Sequence, residues 1–137
     1  MTETRQCEQC GGSTHPASVP TACRGLLPGD PEIVAMCERC LWVHTCSGPA
    51  HHETVDPASF TSALPQDADA AVAVGLLLTF LSSLALHRRE IETVVEYLEA
   101  EGVDPLLVLD RLVTDAHVEL AIDPGRRRDQ LAQILQR

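Results

Sequence analysis

The sequence predicts an α+β chain, with an N-terminal module of short strands organised by four cysteines and an all-helical C-terminal unit of about four helices. Three observations lead there. All six cysteines lie in the first part of the 137 residues, four of them as two CxxC pairs, Cys7-Glu8-Gln9-Cys10 and Cys37-Glu38-Arg39-Cys40. Gly and Pro break that same part into turns and short extended pieces. From Asp67 onward apolar residues recur at helical spacing. The division falls between 1–64, module and connector, and 65–137, helical domain.

Taken in order, residues 32–36 (EIVAM) form a strand leading into the second cysteine pair, with residues 19–23 as its hairpin partner. Residues 47–66, SGPAHHETVDPASFTSALPQ, read as a connector. The first helix takes Asp67 or Asp69 as its cap, a carboxylate accepting from free backbone N–H groups. Its uncharged run covers 70–86, and His87, Arg88 and Arg89 follow, cations that suit a helix C-terminus. The second helix places Ile91, Val94, Val95 and Leu98 on one face and Glu92, Glu96, Glu99 and Glu101 toward water, and Gly102 stops it. The third starts at Asp104-Pro105 with Leu106, Leu109, Leu112, Val113 and Ala116 as its stripe. The fourth starts at Asp123-Pro124 and turns Leu131, Ile134 and Leu135 to one side.

Composition bounds the reading further. Hydrophobic residues make up 45% of the chain, close to a globular share, so wholesale disorder is not expected. Aromatics are 3%, which leaves the core to Leu, Val, Ile and Ala. The formal net charge is −10, every basic residue except the histidines is Arg, and neither Lys nor Asn occurs. Such a chain suits a GC-rich genome and a cytoplasm of high salt, a halophilic archaeon first and a high-GC bacterium second. The same acidity opposes attraction to nucleic acid. The one dense basic run, Arg126 to Arg128, lies near Asp123 and Asp129 without stacking aromatics, which favours salt bridges over phosphate. The N-terminal MTETRQCEQC has no signal-peptide core, so the expected location is cytoplasmic and the thiols reduced.

In that setting two CxxC pairs point to metal. A two-residue gap lets both sulfurs of a tight turn face one ion, and two such turns supply the four thiolates of a tetrahedral site. Cys7, Cys10, Cys37 and Cys40 are therefore expected to hold one structural Zn2+. Gly11 permits a sharp turn after the first pair; Leu41 stands in its place after the second. Residues 7–40 resemble a zinc ribbon, and in a Lys-free acidic chain they resemble the small zinc-finger proteins of halophilic archaea, many of them uncharacterised. The resemblance implies the same four ligands. The helical half resembles an uncharacterised haloarchaeal family in its Leu- and Glu-rich, Asp-Pro-punctuated helices, which implies no activity.

Cys23 and Cys46 are left over, with His15, His44, His51 and His52. Small buried thiols and surface histidines are the expected reading, and Cys46 with His44, His51 or His52 is the weaker alternative of a second metal or redox site. Four thiolates close a zinc shell, and neither a deaminase signature, an HExxH motif, a nucleophile elbow nor a phosphate loop occurs, so no enzyme is expected. The run 70–86 is short for a membrane span, which needs about 20 residues. Being apolar nearly all round, it needs cover on several sides, which suggests a homodimer. The function expected is a small zinc-binding protein whose helical half self-associates or binds a protein partner. The alternatives are a transcription-associated regulator acting through protein or nucleic-acid contacts, and a thiol-based redox or zinc sensor. Trp42 and Val43, just after the second pair, pack on the ribbon or, if exposed, meet a partner.

Overall fold

A computed structural model describes residues 6–45 and 53–135. Three strands, β1 (Thr14–Ser18), β2 (Ile33–Cys37) and β3 (Val43–Thr45), form an antiparallel sheet with β2 in the centre. Four helices follow: α1 (Ala68–Leu81), α2 (Arg88–Ala100), α3 (Pro105–Val113) and α4 (Pro124–Leu135). The α+β architecture matches the expectation.

The strand at 32–36 is present, shifted by one residue, but its partner is not 19–23. Thr14–Ser18 pairs with it, Ala17 opposite Val34 and His15 opposite Met36, while Thr21–Leu26 forms a 3-10 turn. Pro20 precludes a ladder N–H in the expected partner, and its carbonyl instead accepts from Cys23 N at 2.9 Å. Pro16 is tolerated in β1 because that strand lies at the edge. Period-two alternation turns Val34 and Met36 of β2 inward, joined by Ala17 and Val43 from its neighbours.

These residues meet α1. Asp67 caps that helix, its carboxylate accepting from Ala70 N at 3.1 Å. Every residue from Ala70 to Leu78 is buried, with the sheet covering the helix on one side and α2 on another. Gly75 marks the closest approach, where a Cβ would lie 3.0 Å from the Leu41 carbonyl oxygen and 3.0 Å from Val43 Cγ2. Thr79 Oγ1 accepts from Val43 N at 3.0 Å and donates to Gly75 O at 2.8 Å, fastening β3 to the helix. One hydrophobic core therefore runs from the sheet into the helices. Among the described residues no helix is long and apolar enough to cross a membrane.

The apolar run ends as helix earlier than expected. α1 stops at Leu81, because Ser82 turns its hydroxyl back onto Thr79 O at 2.7 Å and the chain continues in turns to His87. Arg88 and Arg89 accordingly open α2 rather than close α1, and Arg88 pairs with Glu92 at 3.5 Å. In α2 the stripe Ile91, Val94, Val95 and Leu98 is buried as expected. Gly102 takes φ +79°, with Gly102 N on Glu99 O at 3.0 Å and Val103 N on Leu98 O at 2.9 Å, the paired bonds of a Schellman stop.

Asp104 caps α3 through Leu106 N and Leu107 N, and Leu106, Leu109 and Leu112 are buried. Val113 and Ala116 are exposed instead, since the helix ends at Val113, and Val108 takes the fourth core position. Asp123 accepts from Arg126 N at the start of α4, whose Leu131 is buried while Ile134 and Leu135 are half-buried.

The described part of the expected connector, from Glu53, is packed rather than loose. Val55 N donates to Pro16 O at 2.8 Å along the outer edge of β1. Ala63 and Leu64 are buried, and Thr61 donates its hydroxyl to Asp115. Arg127 reaches Ser82 O at 3.4 Å and Gln130 at 2.9 Å, and Arg128 pairs with Asp110 at 3.0 Å. Two of the three clustered arginines are thus engaged within the chain.

Candidate metal centre

The two CxxC turns fold alike, and the likeness is visible bond by bond. Cys7 N donates to Gly12 O at 2.7 Å, and Cys37 N to Trp42 O at 2.9 Å. Gly11 N donates to Cys7 O at 2.8 Å, and Leu41 N to Cys37 O at 3.0 Å. Gln9 N points at Cys7 Sγ at 3.3 Å, and Arg39 N at Cys37 Sγ at 3.4 Å. Gly12 N donates to Cys10 Sγ at 3.4 Å, and the Trp42 amide to the Cys40 sulfur. Each thiol therefore receives a backbone N–H, the arrangement that stabilises a thiolate.

Local sequence explains the first turn more easily than the second. Gly11 adopts φ +79° at no steric cost. Leu41 adopts φ +63° in the equivalent place, a left-handed conformation that costs an L-residue with a Cβ about 1–2 kcal/mol. Complete burial of its side chain in the main core offsets that strain. The missing glycine thus leaves the turn geometry intact. Gly12 is required for a different reason: a Cβ there would stand 3.1 Å from Cys37 Sγ and 3.3 Å from Cys10 Sγ.

All four sulfurs, of Cys7, Cys10, Cys37 and Cys40, lie within 4.8 Å of one another, with Cys7–Cys40 at 3.6 Å and Cys10–Cys37 at 3.5 Å. The sequence-predicted ligands are brought together as one group that could hold a metal ion. Cys7, Cys37 and Cys40 are buried and Cys10 is partly open. Burial pushes the Cys37 thiol up and the Cys40 thiol far up. At Cys10 burial acts the same way, but the Gly12 amide and the neighbouring sulfurs outweigh it and hold the thiol below its ordinary value. A cation among them reverses this balance, since a coordinating thiol is deprotonated outright.

Of the residues considered for a second site, Cys23 is fully buried in the main core, where burial and the nearby Asp69 push its thiol up to about 11. His15 pairs with Glu38 at 3.6 Å, and its ring lies tilted against Phe60 with centroids 5.5 Å apart. Cys46, His51 and His52 lie outside the described residues. His44 is at the first site, its Nε2 3.2 Å from Cys7 Sγ. Burial lowers its pKa, against the charge of Glu8. The sequence groups His44 with Cys46, two positions on in the chain; only the register of β3 on β2, His44 opposite Ala35, carries it to Cys7. Trp42 packs half-buried against the cysteines, and Val43 lies in the main core. A polar groove runs beside the first turn, lined by Gly12, Ser13, Glu38, Arg39, Phe60 and His117 among others.

The fold and the cysteine cluster define a small α+β protein with a four-cysteine candidate metal centre. The chain belongs to DUF6276, a family of unknown function whose model matches residues 6–135, and thus takes in both cysteine pairs and all four helices. No curated protein and no solved structure matches it significantly.

Proposed function

We propose that Cys7, Cys10, Cys37 and Cys40 bind one structural zinc ion, making the N-terminal sheet a zinc ribbon, and that the helical half serves contacts with a protein partner or a second copy. The observation that carries the reading is the convergence of four thiols, each with a backbone donor. A tetrahedron with Zn–S bonds of 2.3 Å has sulfurs about 3.8 Å apart, and the paired sulfurs at 3.5 and 3.6 Å suit that size. All-sulfur, tetrahedral surroundings favour zinc or iron–sulfur chemistry over hard cations. Because the sheet is small, metal-binding energy becomes folding energy.

Four thiolates leave no open position for water, which favours a structural over a catalytic role. Reduced cysteines fit a cytoplasmic setting, and the acidic, Lys-free composition fits a halophilic archaeon. The exposed Leu86, Leu107 and Val113 supply apolar contact for a partner of the helical half. The engagement of Arg127 and Arg128 within the chain favours a protein over a nucleic-acid partner. The partly open Cys10 gives the zinc- or redox-sensor reading its one specific support.

Native mass spectrometry of reduced protein tests the central claim. One zinc per chain is the expected result, retained in Cys23→Ala and lost in Cys37→Ser. A folded chain that takes up no zinc would overturn it.

A further inference from the structure

We infer that His44 is a positioning residue of this centre: its Nε2–H donates to the metal-bound Cys7 thiolate and its ring shields that sulfur, leaving Cys10 as the thiolate through which metal is exchanged. The inference rests on the metal reading above and goes beyond the four ligands.

Every cysteine of the cluster has a backbone donor, but His44 is the one side chain among the described residues, other than the cysteines themselves, within bonding distance of a cluster sulfur, at 3.2 Å. Four thiolates around a divalent cation carry a net charge of −2, and each N–H aimed at a sulfur disperses part of it. Cys7 receives two such donors, Gln9 N at 3.3 Å and His44 Nε2. A thiolate so held is a poorer nucleophile and is less readily displaced.

Position reinforces the chemistry. His44 sits in β3, half-buried, directly opposite Ala35 of the central strand, so the sheet fixes its backbone. Cys7 is only 3% exposed, whereas Cys10 is partly open and, among the described residues, faces no side-chain donor other than the cysteines themselves. The two sulfurs of the first turn are therefore unequal: Cys7 is covered and doubly bonded, while Cys10 has a single amide donor and access to solvent. Electrophiles and competing chelators meet Cys10 first.

The test compares metal-loaded parent, His44→Ala and His44→Gln, the last retaining an N–H donor. Metal transfer to a chromogenic chelator is timed, and the order of cysteine alkylation by N-ethylmaleimide is mapped by mass spectrometry. Loss of an outer donor typically weakens a site about ten- to a hundredfold, so His44→Ala should release metal faster by that factor. Alkylation should spread from Cys10 to Cys7, and His44→Gln should restore part of the protection. In the cadmium-113 form of the parent, scalar coupling from the metal through Cys7 to the His44 Nε2 proton should be observed, which requires no variant to fold. Parent that binds one metal while His44→Ala shows unchanged release and alkylation order, with no coupling, would overturn the role of His44 and leave the metal site standing. A cobalt-substituted parent whose spectrum reports a nitrogen ligand lost in His44→Ala would also overturn it, making His44 a ligand rather than a donor. Parent that binds no metal removes both readings.

Discussion

Replacing Leu41 with glycine sets two physical effects against each other at one atom-rich position. Leu41 holds φ +63°, where the first turn has Gly11 at φ +79°. Backbone considerations alone favour glycine, with a relief of about 1–2 kcal/mol. The side chain, however, is fully buried in the main core. Truncating a buried leucine to alanine costs about 2–5 kcal/mol, and glycine removes one carbon more. Packing is the larger effect, so Leu41→Gly should destabilise the metal-loaded protein by about 1–3 kcal/mol. Gly11→Ala supplies the converse case. Nothing lies within 4 Å of a Cβ there, so its cost of about 1–2 kcal/mol should be backbone strain alone. Urea unfolding at fixed free zinc, followed by circular dichroism and by Trp42, the only tryptophan, measures both. A Leu41→Gly protein as stable as its parent would refute the claim that core burial holds the second turn in its strained form.

Three further outcomes are expected. Gly12→Ala presses a methyl group on the sulfurs of Cys37 and Cys10; overpacking of about 1–3 kcal/mol should appear as weaker zinc affinity in a chelator competition. Thr79→Val leaves Val43 N without its acceptor and should cost about 1–3 kcal/mol, with faster hydrogen exchange at the Val43 amide. The Cys23 thiol is held up to about 11 in the folded chain, against an ordinary value of about 8.5. The folded state therefore retains its proton longer than the unfolded state, so stability should fall as pH rises from about 9 toward 11. Cys23→Ala should flatten that part of the pH profile, measured by denaturant midpoints.

The cysteine cluster was legible because each half of it is local: two residues between cysteines are enough to define each turn. Helix starts at Asp67, Asp104 and Asp123 were legible for the same reason, since a cap reads only the next few amides. The partner of β2 was not. Thr14–Ser18 carries a proline and little β-branched character, and only tertiary pairing selects it over 19–23. Nor did the uninterrupted apolar run reveal that α1 ends at Leu81, because the Ser82 hydroxyl rather than a change in hydropathy ends it there. Residues 47–66 read only as a connector because their turn-forming residues conceal buried Ala63 and Leu64. His44 joined the site through strand register, and no spacing rule spans the distance from Cys7 to His44.

The seam at Gly75 bears on how the chain is made. The cysteine turns leave the ribosome first, yet the inner face of their sheet, Val34, Met36 and Val43, is closed only by a helix that ends at Leu81. Until α1 has emerged, the nascent chain presents that apolar face to solvent. Synthesis halted after the sheet would release a sticky fragment whether or not its cysteines hold an ion. The sheet is therefore completed only when α1 docks, and chains that end before it should fall to the chaperones that watch for exposed strands.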